Sequence, residues 1–177
     1  MLPRSLARAV LAGAVLAHAA AAGAQTPAFE PRPCSPELEG ARCGTVQVPE
    51  NRAAPGRMLA LKVVVYPARS AAPAKEAIAF FSGGPGTAVT GGANWEARAH
   101  DSVRDTRDLL FVDQRGTGGS APLQCALRDT ANPQSYLDDF LPPAAVARCK
   151  EELSRVADLT RYGFADLAHD TEAVRKA

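Results

Sequence analysis

The chain has 177 residues, with 20 Lys and Arg against 19 Asp and Glu and 46% hydrophobic residues. That near-neutral balance gives it no electrostatic pull toward nucleic acid or an anionic membrane surface. The apolar fraction belongs to a globular chain rather than a disordered one, and apart from the alanine-rich start there is no repeat or low-complexity segment.

Arg4 and Arg8 precede an apolar run from Ala9 to Ala22, and Ala22, Gly23 and Ala24 supply a small-residue cleavage pattern. Residues 1–24 therefore read as a secretory signal peptide cleaved after Ala24. The run is shorter than the ~20 residues a membrane span needs, and Gly13 and His18 interrupt it. No cysteine stands at the cleavage site, so a lipid-modified N-terminus is not indicated. The expected location is secreted or periplasmic, with no membrane association after cleavage. Cleavage removes two basic residues and no acid, which leaves 153 residues with a formal charge of −1; that is enough for one domain with a real core.

All four cysteines lie in the mature part, and an exported protein meets an oxidising compartment. Four cysteines allow three pairings. Cys34 with Cys43 and Cys125 with Cys149 are expected, because both close short local loops and each stabilises by roughly 3 kcal/mol on the chain-entropy account. No C-x-x-C or His-rich spacing supports zinc, so no metal is expected.

Residues 25–42 are proline-punctuated at the start and read as an extended segment leading into a domain over 43–177. Thr45–Val48 and Met58–Tyr66 are strand-like, the second with Leu59, Leu61, Val63 and Val65 on one face and Lys62 on the other. Asn51–Arg57, with Pro55 and Gly56, turns the chain between them into an antiparallel hairpin. Ala77–Phe81 and Leu109–Val112 are short continuous apolar runs, the pattern of parallel strands buried on both faces. Between them Asn94 is placed to cap a short helix carrying Trp95, Ala99 and Val103 on one side. Strand, loop, helix, strand is a βαβ unit, which puts both following glycine loops on one edge of the sheet.

Beyond Ser120 the chain makes an excursion through Cys125 and Pro133 to a helix opened by Pro142 and Pro143, with Val146, Cys149, Leu153 and Val156 on one face. A last helix begins near Ala165, with Leu167, Thr171 and Val174 on one stripe.

The two glycine loops carry the functional question. "GTAVTGG", Gly86–Gly92, has the first spacing of a phosphate-binding P-loop but Gly92 where the lysine belongs. "GTGGSA", Gly116–Ala121, matches a relaxed dinucleotide fingerprint, but Pro122 follows at once and no acidic residue ends a further strand about twenty residues on. No cofactor is expected. The remaining reading is an oxyanion loop, whose donor is best a glycine because the backbone must approach a substrate with no side chain in the way. "SGGPG", Ser82–Gly86, follows the third strand-like segment, where α/β-hydrolases place such a donor.

"FFSGGPG", Phe80–Gly86, resembles the HGGPG motif of the prolyl aminopeptidase and tripeptidyl aminopeptidase group of α/β-hydrolase serine peptidases. "LLFVDQRGTGGS", Leu109–Ser120, resembles that group's DQRGxGxS segment. "CGTVQVPENR", Cys43–Arg52, and "HDTEAVRKA", His169–Ala177, resemble its opening strand and the helix before its nucleophile strand. The resemblance implies the N-terminal part of an α/β-hydrolase fold, with a mostly parallel sheet, an antiparallel leading hairpin, and a peptide or small ester as substrate. Gly84 is the implied oxyanion donor, Gly83 and Gly86 permit the loop's path, and Pro85 stiffens it. Ser82 stands where the group has histidine.

Asp113, Gln114 and Arg115 are expected to form a polar turn whose charges pair locally. No serine sits in a G-x-S-x-G elbow: Pro122 takes the last glycine position after Ser120, and Phe80 the first before Ser82. His100 and His169 are expected at ordinary surface or helix positions, so the Ser, Asp and His of a triad are expected beyond Ala177. An exported aminopeptidase, another hydrolase or esterase on the same scaffold, and a non-catalytic binding protein retaining half the fold all stay open at this point.

Overall fold

The computed structural model describes residues 26–54, 56–84 and 86–177; the expected signal peptide over 1–24, Pro55 and Pro85 lie outside them. Five strands form one mixed sheet in the order β1-β2-β3-β5-β4: β1 is Phe29–Arg32, β2 Arg42–Pro49, β3 Met58–Tyr66, β4 Ile78–Phe80 and β5 Leu109–Val112. Among the described residues three α-helices accompany it, α1 at Ala93–Ala99, α2 at Pro143–Ser154 and α3 at Phe164–Lys176.

The hairpin β2–β3 pairs from Arg42↔Val65 to Pro49↔Met58, and its alternating side chains feed two separate cores. On one face Cys43, Val64, Tyr66, Leu109 and Phe111 pack against Ala93 and Ala97 of α1. On the other Val46, Val48, Leu59, Leu61, Val63 and Val112 pack against Val174 of α3. Each fully buried Val, Leu or Phe here contributes about 1.5–3 kcal/mol.

The sheet corrects the expectation of mostly parallel strands. β5 pairs antiparallel with β3 and parallel only with β4, its partner in the βαβ unit, so among the described strands three pairings are antiparallel and one is parallel. β4 also differs from the doubly buried strand expected there. It lies at the sheet edge, with Ile78 and Ala79 exposed.

The extended N-terminal segment is more than a tether. Phe29–Arg32 adds β1 to the edge of β2, and Leu38 is buried in the first core. With β1 counted, the SGGPG loop follows the fourth strand of the chain, or the third counted from the hairpin. α1 starts at Ala93 with Gly92 as its cap; Asn94 lies inside the helix and accepts from the N–H of Trp95 at 2.7 Å. The buried face is accordingly Ala93 and Ala97, and Trp95 is 67% exposed. In α2 the inward face is Ala145, Cys149 and Leu153, whereas Val146 is exposed, as is Val156 beyond the helix end.

Cys34 is bonded to Cys43 and Cys125 to Cys149, with Cα atoms 5.2 Å and 5.7 Å apart. The first pair fastens the segment before β2 to the core. The second holds the excursion 121–157, in which only Ser135 and Ala145 are buried. Two such bonds fit an oxidising compartment, and among the described residues no helix is long and apolar enough to cross a membrane.

Removing the two bonds should therefore have different effects. Non-reducing peptide mapping should recover both linkages. Cys34→Ser with Cys43→Ser should lower global stability in a denaturant titration by about 3 kcal/mol. Cys125→Ser with Cys149→Ser should chiefly speed proteolytic nicking within 121–157, by about 10-fold or more.

Candidate functional site at the carboxyl edge of the sheet

β4 and β5 run parallel, so the chain leaves both at the same edge. An open cleft of about 580 Å³ lies there, lined by Ser82, Gly83, Gly84 and Gly86 from the first loop, Gln114–Thr117 from the second, and Leu123 and Tyr162–Phe164 with Leu167. The two glycine loops singled out in the sequence thus share one cavity.

Gly84 has φ +71° and Gly86 φ +88°, a region that side-chain-bearing residues rarely enter. Thr87 N–H donates to the Gly84 carbonyl at 3.2 Å, closing a tight turn. Among the described residues no acceptor pairs with the N–H of Gly83, Gly84 or Gly86. Ser82 Oγ donates to the Gly83 carbonyl at 3.2 Å, at the rim of the cleft. The stiffening role assigned to Pro85 falls outside the described residues.

The charges of the DQR turn do not pair locally, contrary to expectation. Asp113, 1% exposed, accepts four hydrogen bonds: from Val89 N–H and Thr90 N–H at 2.9 Å each, Thr90 Oγ1 at 2.8 Å, and Gly119 N–H at 2.9 Å. It therefore fastens the chain after the first glycine loop to the second loop. The close approach explains one glycine of "GTGG": a Cβ at Gly118 would lie 2.5 Å from that of Ala88 and nearer still to the Asp113 carboxylate.

Arg115, 5% exposed, reaches the other way. Its Nε donates to Asp170 Oδ2 at 2.6 Å and its Nη2 to Asp170 Oδ1 at 2.7 Å. Nη1 donates to the carbonyls of Glu50 and Arg161 at 2.8 Å each, and Nη2 to that of Pro49 at 3.4 Å. Asp170 is 2% exposed and also accepts from Arg52 Nη2 at 2.5 Å. Burial works against the Arg115 charge, but the bonds and charge of Asp170, with Asp166 nearby, hold its pKa above the ordinary value. Sequence reasoning missed Asp170. The available signal was its place with Asp166 and Val174 at i, i+4 spacing on a helix face that the apolar pattern turns inward.

Tyr162 stands against this cluster and forms one wall of the cleft. Its hydroxyl donates to Glu50 Oε1 at 2.7 Å, and the Arg115 guanidinium lies 5.9 Å from its ring centre. Burial, reinforced by the Glu50 carboxylate, pushes its pKa up to about 12.

Ser120 is wholly buried; its Oγ donates to the Asp113 carbonyl at 2.7 Å and accepts from Lys62 N–H at 2.8 Å. It extends the β3–β5 ladder and has no hydroxyl free to attack. His100 and His169 are exposed, and among the described residues no serine hydroxyl bonds to either. No cluster with metal-ligand character occurs among the described residues. No protein-family model matches the chain, and no curated protein matches it.

Two outcomes test this geometry. Asp170→Asn or Arg115→Met should lower stability by about 3–5 kcal/mol in a denaturant titration, because each leaves a buried charge without its partner. Tyr162, as an acid with a raised pKa, favours its protonated form in the fold. Its contribution is full below the ordinary value of about 10 and is lost as pH rises from there through about 12. An absorbance titration should show a tyrosinate step near pH 12 that Tyr162→Phe removes.

Proposed function

We propose that this chain is the N-terminal portion of an exported serine hydrolase of the α/β-hydrolase kind, and that it supplies part of the oxyanion hole. The closest activity is that of an aminopeptidase of prolyl or tripeptidyl type, cleaving peptide bonds near the N-terminus through an acyl-enzyme. One observation carries the reading: Gly84, left-handed and with its N–H unpartnered among the described residues, lies on a cleft at the carboxyl edge of two parallel strands.

In this mechanism a serine attacks the scissile carbonyl, a histidine takes and returns the proton, and an aspartate orients the histidine. The carbonyl oxygen becomes an oxyanion, and the Gly84 N–H is one of the two donors that receive it. A fixed donor of this kind contributes about 10²–10³ in kcat because no solvent must reorganise as charge develops. The triad belongs to chain beyond residue 177, since neither Ser120 nor Ser82 is placed with a base. Ser82, in the position where the resembling peptidases have histidine, turns its hydroxyl to the neighbouring carbonyl.

A fluorophosphonate probe should leave residues 1–177 unlabelled, and labelling at Ser120 or Ser82 would overturn the proposal. In a polypeptide that also carries the triad, Gly84→Val should lower kcat by roughly 10² or more. Ser120→Ala should instead reduce stability by about 1–3 kcal/mol, through two lost buried hydrogen bonds, with kcat of the folded enzyme little changed. Full activity in a folded Gly84→Val enzyme would reduce the loop to a turn.

A further inference from the structure

We propose that residues 29–43 form a redox-conditional strap around the β2 edge of the sheet, closed by the Cys34–Cys43 bond and released locally when that bond is reduced.

The strap grips the sheet on both faces. On the α3 side the Phe29 ring packs against the second core and lies across Gly44, where a Cβ would fall 2.5 Å from the ring and nearer still to the Glu30 carbonyl. Gly44 is the one glycine inside a described strand, a place where glycine weakens pairing and packing. Here the ring takes the space that a side chain would fill. The Arg42 guanidinium, 5.6 Å from the ring centre, borders the same seat. On the α1 side Leu38 is buried in the first core, and Cys34 packs against that core and is bonded to Cys43. Between the two grips the chain runs along the edge of β2, in register from Phe29↔Val46 to Arg32↔Cys43.

The grips are unequal. β1 has four residues, and Pro31 has no N–H to give the ladder. Phe29 is half-buried, while Pro31 and Arg32 are exposed, and so little burial does not offset the entropy of ordering the segment. The bond changes this balance. It fixes Cys34 beside Cys43, with Cα atoms 5.2 Å apart, so that β1 is always presented to its partner. Closing it passes two electrons and two protons from the two thiols to an exchanging disulfide, which leaves as a dithiol; a dithiol reductant reverses the step. Cys34 is half-buried and Cys43 buried, so an attacking thiolate reaches the bond from the Cys34 side. An oxidising compartment therefore shuts the strap and a reducing one leaves it open. The pairings of β3, β4 and β5 do not involve β1 and survive its release.

Backbone amide spectra of the 177-residue chain test this. With Cys34→Ser and Cys43→Ser the signals of Glu30 and Arg32 should move to unstructured positions, while those of Val63–Tyr66 and Leu109–Val112 stay in place. A chain carrying Cys125→Ser and Cys149→Ser isolates the bond: dithiothreitol should release Glu30 and Arg32, and reoxidation should restore them. With the bond intact, Phe29→Ala should raise the undocked population about 10-fold, the order expected for losing a half-buried phenyl ring. Gly44→Ala, which fills the seat, should do the same. Once the bond is removed by Cys34→Ser and Cys43→Ser, Phe29→Ala should add nothing. Docked signals in the bond-free chain would overturn the strap, because β1 would then hold unaided. Loss of the β3 and β5 signals together with those of β1 would overturn it too, since the bond would be a staple for the whole fold. So would a further response to Phe29→Ala in the bond-free chain.

Discussion

Arg115 and Asp170 hold the carboxyl edge of the molecule together. A guanidinium has five N–H donors in a fixed plane, and here all five meet acceptors, two on the Asp170 carboxylate and three on carbonyls of Pro49, Glu50 and Arg161. The acceptors come from the end of β2, from the segment before α3 and from α3 itself, far from Arg115 in sequence. A buried ion pair is not stabilising merely by being charged, since desolvation offsets most of the Coulomb attraction. Complete satisfaction of the donors changes the balance, because no polar atom of the guanidinium is left without a partner. The pair also fixes direction: a planar fork matched to a carboxylate admits one orientation of α3 against the loop.

Two residues earlier, Asp113 performs the complementary task. Its four hydrogen bonds gather the start of the α1 region and the second glycine loop around the end of β5. Asp113 and Arg115 thus anchor both sides of the edge from one short turn. Between the end of β4 at Phe80 and the Asp113 anchor at Val89, the first glycine loop spans few residues. Its ends are fixed while its middle faces the cleft. A loop held at both ends keeps its backbone N–H groups in place before any ligand arrives.

The parts of this design visible in the sequence are those with a local signature. Period-two alternation marked the β2–β3 hairpin, and the limits of β3 coincide with Met58–Tyr66. The apolar run Leu109–Val112 is β5 residue for residue, and two runs each leading into glycines placed both loops at one edge. β1 escaped because Pro31 and Pro33 suppress the strand pattern, although an edge strand tolerates proline on its unpaired side. The face of α1 was misjudged because Trp95 is apolar and large, yet the helix starts at Ala93 and the small residues make the close approach to the sheet. The pairing of Arg115 with Asp170 left no local trace, although the inward helix face could have flagged Asp170 itself. The two partners are 55 residues apart, and local chemistry made the DQR turn look self-contained.

The glycines can be sorted by what a side chain would meet. At Gly118 a Cβ would collide with Ala88 and Asp113, so the fold itself accounts for glycine there. At Gly83 and Gly86 a Cβ would meet nothing within 4 Å, and at Gly84 only Thr87 Oγ1 at 3.4 Å. Packing therefore demands none of these three. Backbone conformation accounts in part for Gly84 and Gly86, whose φ angles are positive, but an asparagine or aspartate can occupy such angles too. It does not account for Gly83, whose φ is not in that region. All three line the cleft. Glycine at these positions is therefore explained neither by packing nor, at Gly83, by backbone conformation, and that leaves the backbone of the loop uncovered at the cleft.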